Sequence, residues 1–191
     1  EGKIWGYKDE FVSSSKLDDL ECAFTSLKAF IAGNNDKAVN VYACFDNEEV
    51  GSNTKQGAMS TLLHDTLKRL NAGLGFDEEE YHKAVAKSFL VSADNAHAVH
   101  PNHKELTDDE NRTFMNKGIV IKEAANQKYT SDAFSQAVFK KICALAEVPV
   151  QHFANRSNMQ GGSTLGNLSN TQVSLHAVDI GLPQLAMHSN Y

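Results

Sequence analysis

Ser88-Phe89-Leu90-Val91-Ser92-Ala93-Asp94-Asn95-Ala96-His97 is the passage on which the reading of the fold turns. Its first half has the length and the aromatic, β-branched character of a strand, and it runs with no linker into an acid, an amide and an imidazole. Upstream, Asp77-Glu78-Glu79-Glu80 followed by Tyr81 to Ala86 predicts a helix, because acids in a first turn complement the helix dipole. A strand entered from a helix and left through ligand-type side chains is what an α/β sheet with a site at its carboxyl edge would show.

The neighbouring segments extend this pattern. Leu17, Leu20, Phe24, Leu27 and Ile31 recur at helical spacing. Val39-Asn40-Val41-Tyr42-Ala43-Cys44-Phe45 reads as a strand, followed by a Gly51-Ser52 turn. A helix is predicted from about Gly57 to Leu70, with Met59, Leu62, Leu63, Thr66, Leu67 and Leu70 on one side. Gly118-Ile119-Val120-Ile121 is a further predicted strand, Ser131 to Ala146 a long amphipathic helix, and His176-Ala177-Val178-Asp179-Ile180-Gly181 a last strand. The alternation defines the fold class as α/β, a sheet sandwiched by helices.

Composition narrows the function. Over 191 residues, 18 Lys+Arg face 24 Asp+Glu, a formal charge of -6; this argues against nucleic acid as partner, since phosphate neutralisation needs a basic surface. Hydrophobic residues at 41% are enough to build a core, and no apolar run reaches the roughly 20 residues of a membrane span, so no membrane role is expected. Cys22, Cys44 and Cys143 form no C-x-x-C pair, which points to a reducing, cytoplasmic setting. Three prolines and no low-complexity tract leave one domain, or one large piece of a domain, as the expectation.

The chemistry collects where predicted strands end. Val41 to Phe45 runs into Asp46-Asn47-Glu48-Glu49, Phe89 to Ser92 into Asp94-Asn95-Ala96-His97, and the last strand through Gly181-Leu182-Pro183 to Met187-His188-Ser189. Carboxylates with one or two imidazoles suit zinc, manganese or cobalt, and two such ions can activate water toward a carbonyl. Of the adjacent pair, one glutamate could bind metal while its neighbour accepts the proton of the attacking water. Taken singly, each feature has a plainer reading: two glutamates in a loop are commonly a solvated surface, Asp94 a cap or turn residue, and His188 hydrogen-bonded structure.

Three long passages in order resemble the aspartyl aminopeptidase and vacuolar aminopeptidase I family of zinc exopeptidases. They are Ala43-Cys44-Phe45-Asp46-Asn47-Glu48-Glu49-Val50-Gly51-Ser52 with Gln56-Gly57-Ala58, Ser92-Ala93-Asp94-Asn95-Ala96-His97-Ala98-Val99-His100-Pro101-Asn102, and Asp179-Ile180-Gly181-Leu182-Pro183-Gln184-Leu185-Ala186-Met187-His188-Ser189. The resemblance implies a zinc-exopeptidase-like (phosphorylase/hydrolase-like) catalytic domain with a mixed sheet, and a site for two divalent ions, zinc first and manganese or cobalt as alternatives. It places Asp18 at the bridging aspartate, Glu48 at the general base, Glu49 and Asp94 at carboxylate ligands, and His188 at the C-terminal histidine ligand. Asp19 stands where many relatives carry Asn, and Lys16 where many carry Arg.

By the same resemblance Lys122 and Tyr129 match substrate-contacting residues of members that prefer an acidic residue, Gly162 and Ser163 lie in a small-residue loop lining the cleft, and these two and Met187 are further substrate-binding candidates. His97 and His100 would organise the surroundings of Asp94. The implied activity is removal of an N-terminal, possibly acidic, residue from peptides by a homo-oligomer. Relatives carry an upstream His-x-Asp ligand segment and an inserted assembly domain; residues 1–191 would then be the C-terminal portion of the catalytic domain. An inactive fragment or a degenerate assembly or binding module is the competing expectation, and a related di-metal carboxypeptidase or deacylase a third.

Overall fold

A computed structural model describes residues 1–189. The sheet at its centre has four strands in the order β3 (Phe89–Ala93), β7 (His176–Gly181), β5 (Ile119–Glu123) and β6 (Val150–Ala154). β3 runs parallel to β7, β7 antiparallel to β5, and β5 parallel to β6, so the sheet is mixed, as the family resemblance implies. Because β3 and β7 are parallel, the exits toward Asp94 and toward His188 leave from one edge.

Side-chain alternation along the strands builds two cores. Ile121, Val178 and Ile180 point to one face, where Phe139 and Cys143 of α4 (Ala133–Leu145) cover them. Val120, Ala96, Tyr129 and Phe153 pack on the other. On that second face α5 (Leu165–Gln172) lies over β3 and β7. Gly166 in its first turn faces the Asp179 carboxyl so closely that a Cβ would collide with Oδ1.

Shorter elements tie this body together. β1 (Lys3–Trp5) and β2 (Phe11–Ser13) form an antiparallel hairpin. α1 (Leu17–Ala32) is regular only after Asp18 and Asp19, whose backbone angles are not helical. α2 (Leu62–Gly73) and α3 (Glu78–Ala86) follow, α3 opening on a capping box between Asp77 and Glu80. β4 (Ala96–His97) and β8 (Pro183–Gln184) pair in parallel just beyond the ends of β3 and β7, clamping the two exits side by side. Gly181 allows this, since a Cβ there would strike the Asp94 carbonyl. Among the described residues no helix is long and apolar enough to cross a membrane.

The structure corrects two expectations. Val39 to Phe45 is not a strand: among the described residues its backbone has no ladder partner, and it lies beside α1, with Tyr42 donating to the Ala23 carbonyl at 2.9 Å. A cavity of about 1030 Å³ lies along this segment, α1 and β3, so the β-type composition is there without a neighbouring edge to satisfy it. The helix expected from Gly57 begins at Leu62, because Gly57 to Ser60 closes a tight turn in which Ser60 bonds the Gly57 carbonyl.

Candidate metal centre

Asp18 and Asp19 stand at the entrance to α1, on a non-helical stretch that follows a left-handed Lys16. The Asp18–Asp19 peptide is cis. Asn95, buried at the end of β3, fastens this entrance to the sheet. Its Nδ2 donates to the Leu17 carbonyl at 3.1 Å and to Gln184 Oε1 at 2.9 Å, and its Oδ1 accepts from Cys22 Sγ at 3.1 Å. One amide thus links α1, β3 and β8, and brings Asp18 to Asp94 across a long stretch of chain.

Glu48 and Glu49 begin a 3₁₀ turn over Glu48–Val50, flanked by left-handed Asn47 and Gly51. The loop is stitched shut by Ser52 N to the Asn47 carbonyl at 2.8 Å and by Asp46 N to the Gln56 carbonyl at 3.0 Å. Gly57 permits the close return, for a Cβ there would meet the Ser52 carbonyl. The two carboxylates consequently take different surroundings: Glu48 is half-buried and Glu49 exposed.

His188 completes the group from the far end of the chain. Its Nε2 lies 2.9 Å from Asp18 Oδ2 and 2.8 Å from Glu49 Oε2. The imidazole is 63% exposed and the Asp18 carboxyl 9%, so Asp18 forms the floor and His188 the rim. Ligand atoms of Asp18, Glu49 and His188 lie within 4.8 Å of one another, and those of Asp18, Asp19 and Asp94 form a second such group. Asp18 belongs to both groups.

Electrostatics point the same way. Burial pushes Glu48 up to about 7, with Asp94, Glu49 and Asp18 adding to it. Burial, then Asp94 and Glu49, raise Asp18 to about 6, and burial lifts Asp19 to about 7. Crowded carboxylates hold protons near neutrality when no cation offsets their mutual repulsion. Asp18 Oδ1 and Asp19 Oδ1 are buried without a hydrogen-bond partner, and such orphaned oxygens are the donors a divalent ion uses. The residues present therefore fit a metal. Burial works against protonation of His188, but the Glu49 and Asp18 carboxylates outweigh it and raise its pKa.

The other sequence-predicted residues fall in different places. Lys122 and Tyr129 come together, the ammonium 5.1 Å from the ring centroid, but Lys122 is 2% exposed and its nitrogen is engaged with Asp94 Oδ2 at 3.0 Å and with the Asp94 and Asn95 carbonyls at 2.9 and 3.2 Å. His97 lies near His188; burial of its ring, then the His188 and Lys122 charges, hold its pKa below the usual imidazole value. His100 makes its contacts inside its own turn, accepting from Asn102 N and facing His103. Gly162 and Ser163 are exposed just before α5, with Ser163 bonded to Asn167, and Met187 is half-buried beside His188. Asp19 and Asn95 were not predicted as site residues. Their signal was adjacency, an acid next to Asp18 and an amide next to Asp94, which has no characteristic spacing.

A carboxylate and imidazole cluster at the carboxyl edge of a helix-covered sheet defines an α/β protein with a candidate metal centre. The chain belongs to the peptidase M18 family, described as Aminopeptidase I zinc metalloprotease, whose model matches residues 1–191. It is 53% identical over 188 residues to a probable M18 family aminopeptidase 2 of Clostridium novyi, covering 98% of this chain and 43% of that protein. It is 38% identical to an aspartyl aminopeptidase of Caenorhabditis elegans, covering 97% and 40%. Among solved structures, Ape4 in its complex with Nbr1 superposes with a TM-score of 0.92 at 40% identity, covering 98% of this chain and 37% of that one. Yeast aminopeptidase 1 gives 0.81 at 27% identity, covering 99% and 44%. The chain thus spans less than half the length of these relatives.

Proposed function

We propose that this chain carries most of the metal centre of an aminopeptidase that releases an N-terminal residue from peptides. The observation that carries the reading is the shared Asp18, with Glu49 and His188 on one side and Asp19 and Asp94 on the other. These residues would hold two divalent ions, zinc first, with manganese or cobalt as alternatives. Bound there, such ions supply Lewis-acid polarisation of the scissile carbonyl and lower the pKa of water. Glu48 is the general base: half-buried beside Asp18, Glu49 and Asp94, it would accept a proton from the attacking water and return it to the leaving amine. Glu49, one residue on, is held by His188 and kept apart from that proton transfer.

Preference for an acidic N-terminal residue rests on Lys122 and Tyr129, and on the aspartyl aminopeptidases among the relatives. Lys122 would have to share its ammonium between Asp94 and the substrate carboxylate, with Tyr129 beside it. Gly162, Ser163 and Met187 border the approach. Three free cysteines accord with a cytoplasmic enzyme, and the dodecamer formed by the similar S. cerevisiae mApe1 supports a homo-oligomer.

The test is bound-metal analysis of the purified protein, with hydrolysis of Asp-, Glu- and Leu-linked chromogenic amides in added zinc, manganese or cobalt. Metal-dependent release of the first residue is expected, and faster release of Asp or Glu than of Leu would support the acidic preference. A metal-loaded protein that releases nothing would overturn the enzymatic reading in favour of an assembly or binding module.

A further inference from the structure

One row of side chains crosses the sheet on the α5 face. Register pairs Ser92 with Asp179, Asp179 with Lys122, and Lys122 with Phe153, so the four stand side by side on β3, β7, β5 and β6. Ser92, Asp179 and Lys122 are all buried, Asp179 completely. An acid and an ammonium in a sheet interior are costly unless each answers the other. The Lys122 nitrogen has its hydrogen-bonding capacity occupied by Asp94 Oδ2 and by the carbonyls of Asp94 and Asn95. Asp179 is the register neighbour of Lys122 on β7, accepting from Thr130 N through Oδ2, while among the described residues Oδ1 has no hydrogen-bond partner. Ser131 Oγ accepts from the Asp179 amide at 2.9 Å, so the loop carrying Tyr129 is held against β7.

The geometry assigns Asp179 the part of a positioning residue for a divalent cation: its charge holds Lys122, and through Lys122 the Asp94 carboxylate, in the orientation that faces Asp18 and Asp19. This rests on the reading of Asp94 as a metal ligand. With Asp179 charged, the Lys122 ammonium is partly neutralised and pulls less electron density from Asp94. Without that charge, Lys122 competes with the cation for the same oxygen. The Thr130 bond alone would make Asp179 a loop staple. Asp179→Asn separates the two roles, since the amide oxygen still accepts from Thr130 and only the charge is lost.

The experiment is cobalt(II) titration of the purified protein, reading the visible absorption of the bound ion and its affinity by chelator competition, with circular dichroism to monitor folding. Asp179→Asn should bind cobalt about 10- to 100-fold more weakly, the range for residues that orient metal ligands, and with altered band positions. In a Lys122→Gln background the same substitution should have no further effect. Wild-type affinity and spectrum in folded Asp179→Asn would overturn the inference. If Asp179→Asn does not fold, Lys122→Gln cuts the same link from the other side, and unchanged cobalt binding there would overturn it equally. Asp94→Ala separates the two readings: lost binding in Asp94→Ala with normal binding in Asp179→Asn defeats this inference alone, whereas unchanged binding in Asp94→Ala defeats the metal reading and this inference with it.

Discussion

Glu48 and Glu49 are neighbours in sequence and identical in chemistry, and the fold gives them different surroundings. The 3₁₀ turn leaves Glu49 within 2.8 Å of His188 and puts Glu48 among other acids, where its pKa rises to about 7. Glu48→Gln should therefore lower kcat by about 10²- to 10⁴-fold, the span of general-base catalysis, with bound metal unchanged by elemental analysis. A variant that keeps its rate would show that another group takes the proton. Asn95 is the second decisive residue. Asn95→Ala removes the partners of the Leu17 carbonyl, Gln184 and Cys22 at one stroke, so a loss of about 1–3 kcal/mol is expected from unpaired buried groups. Denaturant unfolding would measure it; a midpoint unchanged from wild type would show that α1 is held by other means.

At the scale of elements, the sequence was legible where side-chain pattern and backbone pairing agree. β7 was expected over His176–Gly181 and is found there, because its alternate residues Val178 and Ile180 enter one core. Val39 to Phe45 has strand chemistry and no partner, and pairing is a non-local property that periodicity does not report. β6, Val150–Ala154, went unpredicted because Gln151 and His152 interrupt its apolar character. α5 carries Gly166, Asn167, Ser169, Asn170 and Thr171, poor helix formers, and Gly166 lets it approach Asp179. The candidate ligands Glu49, Asp94 and His188 lie in the long family-like passages; Asn95 and Asp179, proposed to aim them, could not be read as such, because an amide or acid inside a strand-rich passage has no distinctive spacing.

α4 offers a test at this scale. Its capping box joins Asp132 to Ser135, with the Ser135 amide donating to Asp132 Oδ1 at 2.7 Å. Asp132→Ala should cost about 1 kcal/mol of stability. The Ser135 amide lowers the folded-state pKa of Asp132 below 3.8. A depressed carboxylate contributes its stability in full above the unfolded value and loses it as pH falls through the folded one. The gap in Tm between wild type and Asp132→Ala should be constant near neutrality and shrink below about pH 4. A gap that widens in acid would contradict the capping role.

The molecule as a whole exposes 12695 Å², whereas a compact monomer of its mass, 20.9 kDa, would expose about 9,000 Å². Much of the excess is apolar, including Leu20, Phe24 and Ile31 on α1 and Val39 and Val41 beside the cavity. Such a face is expected to bind an environment-sensitive dye or to drive self-association. A chain of residues 1–191 should enhance 8-anilinonaphthalene-1-sulfonate fluorescence well above a compact protein of equal mass. No enhancement, together with a monomer in sedimentation at high concentration, would show that this face is closed in solution.

His188 and Asp18 touch although 170 positions separate them. Bringing such remote points together costs loop entropy that only a nearly finished fold can repay. A cation gripped by both would act as a removable crosslink, joining the first and last tenths of the chain much as a disulfide does. Loading it would then raise the unfolding temperature in step with metal concentration, and chelation would let the ends of the polypeptide part before its middle.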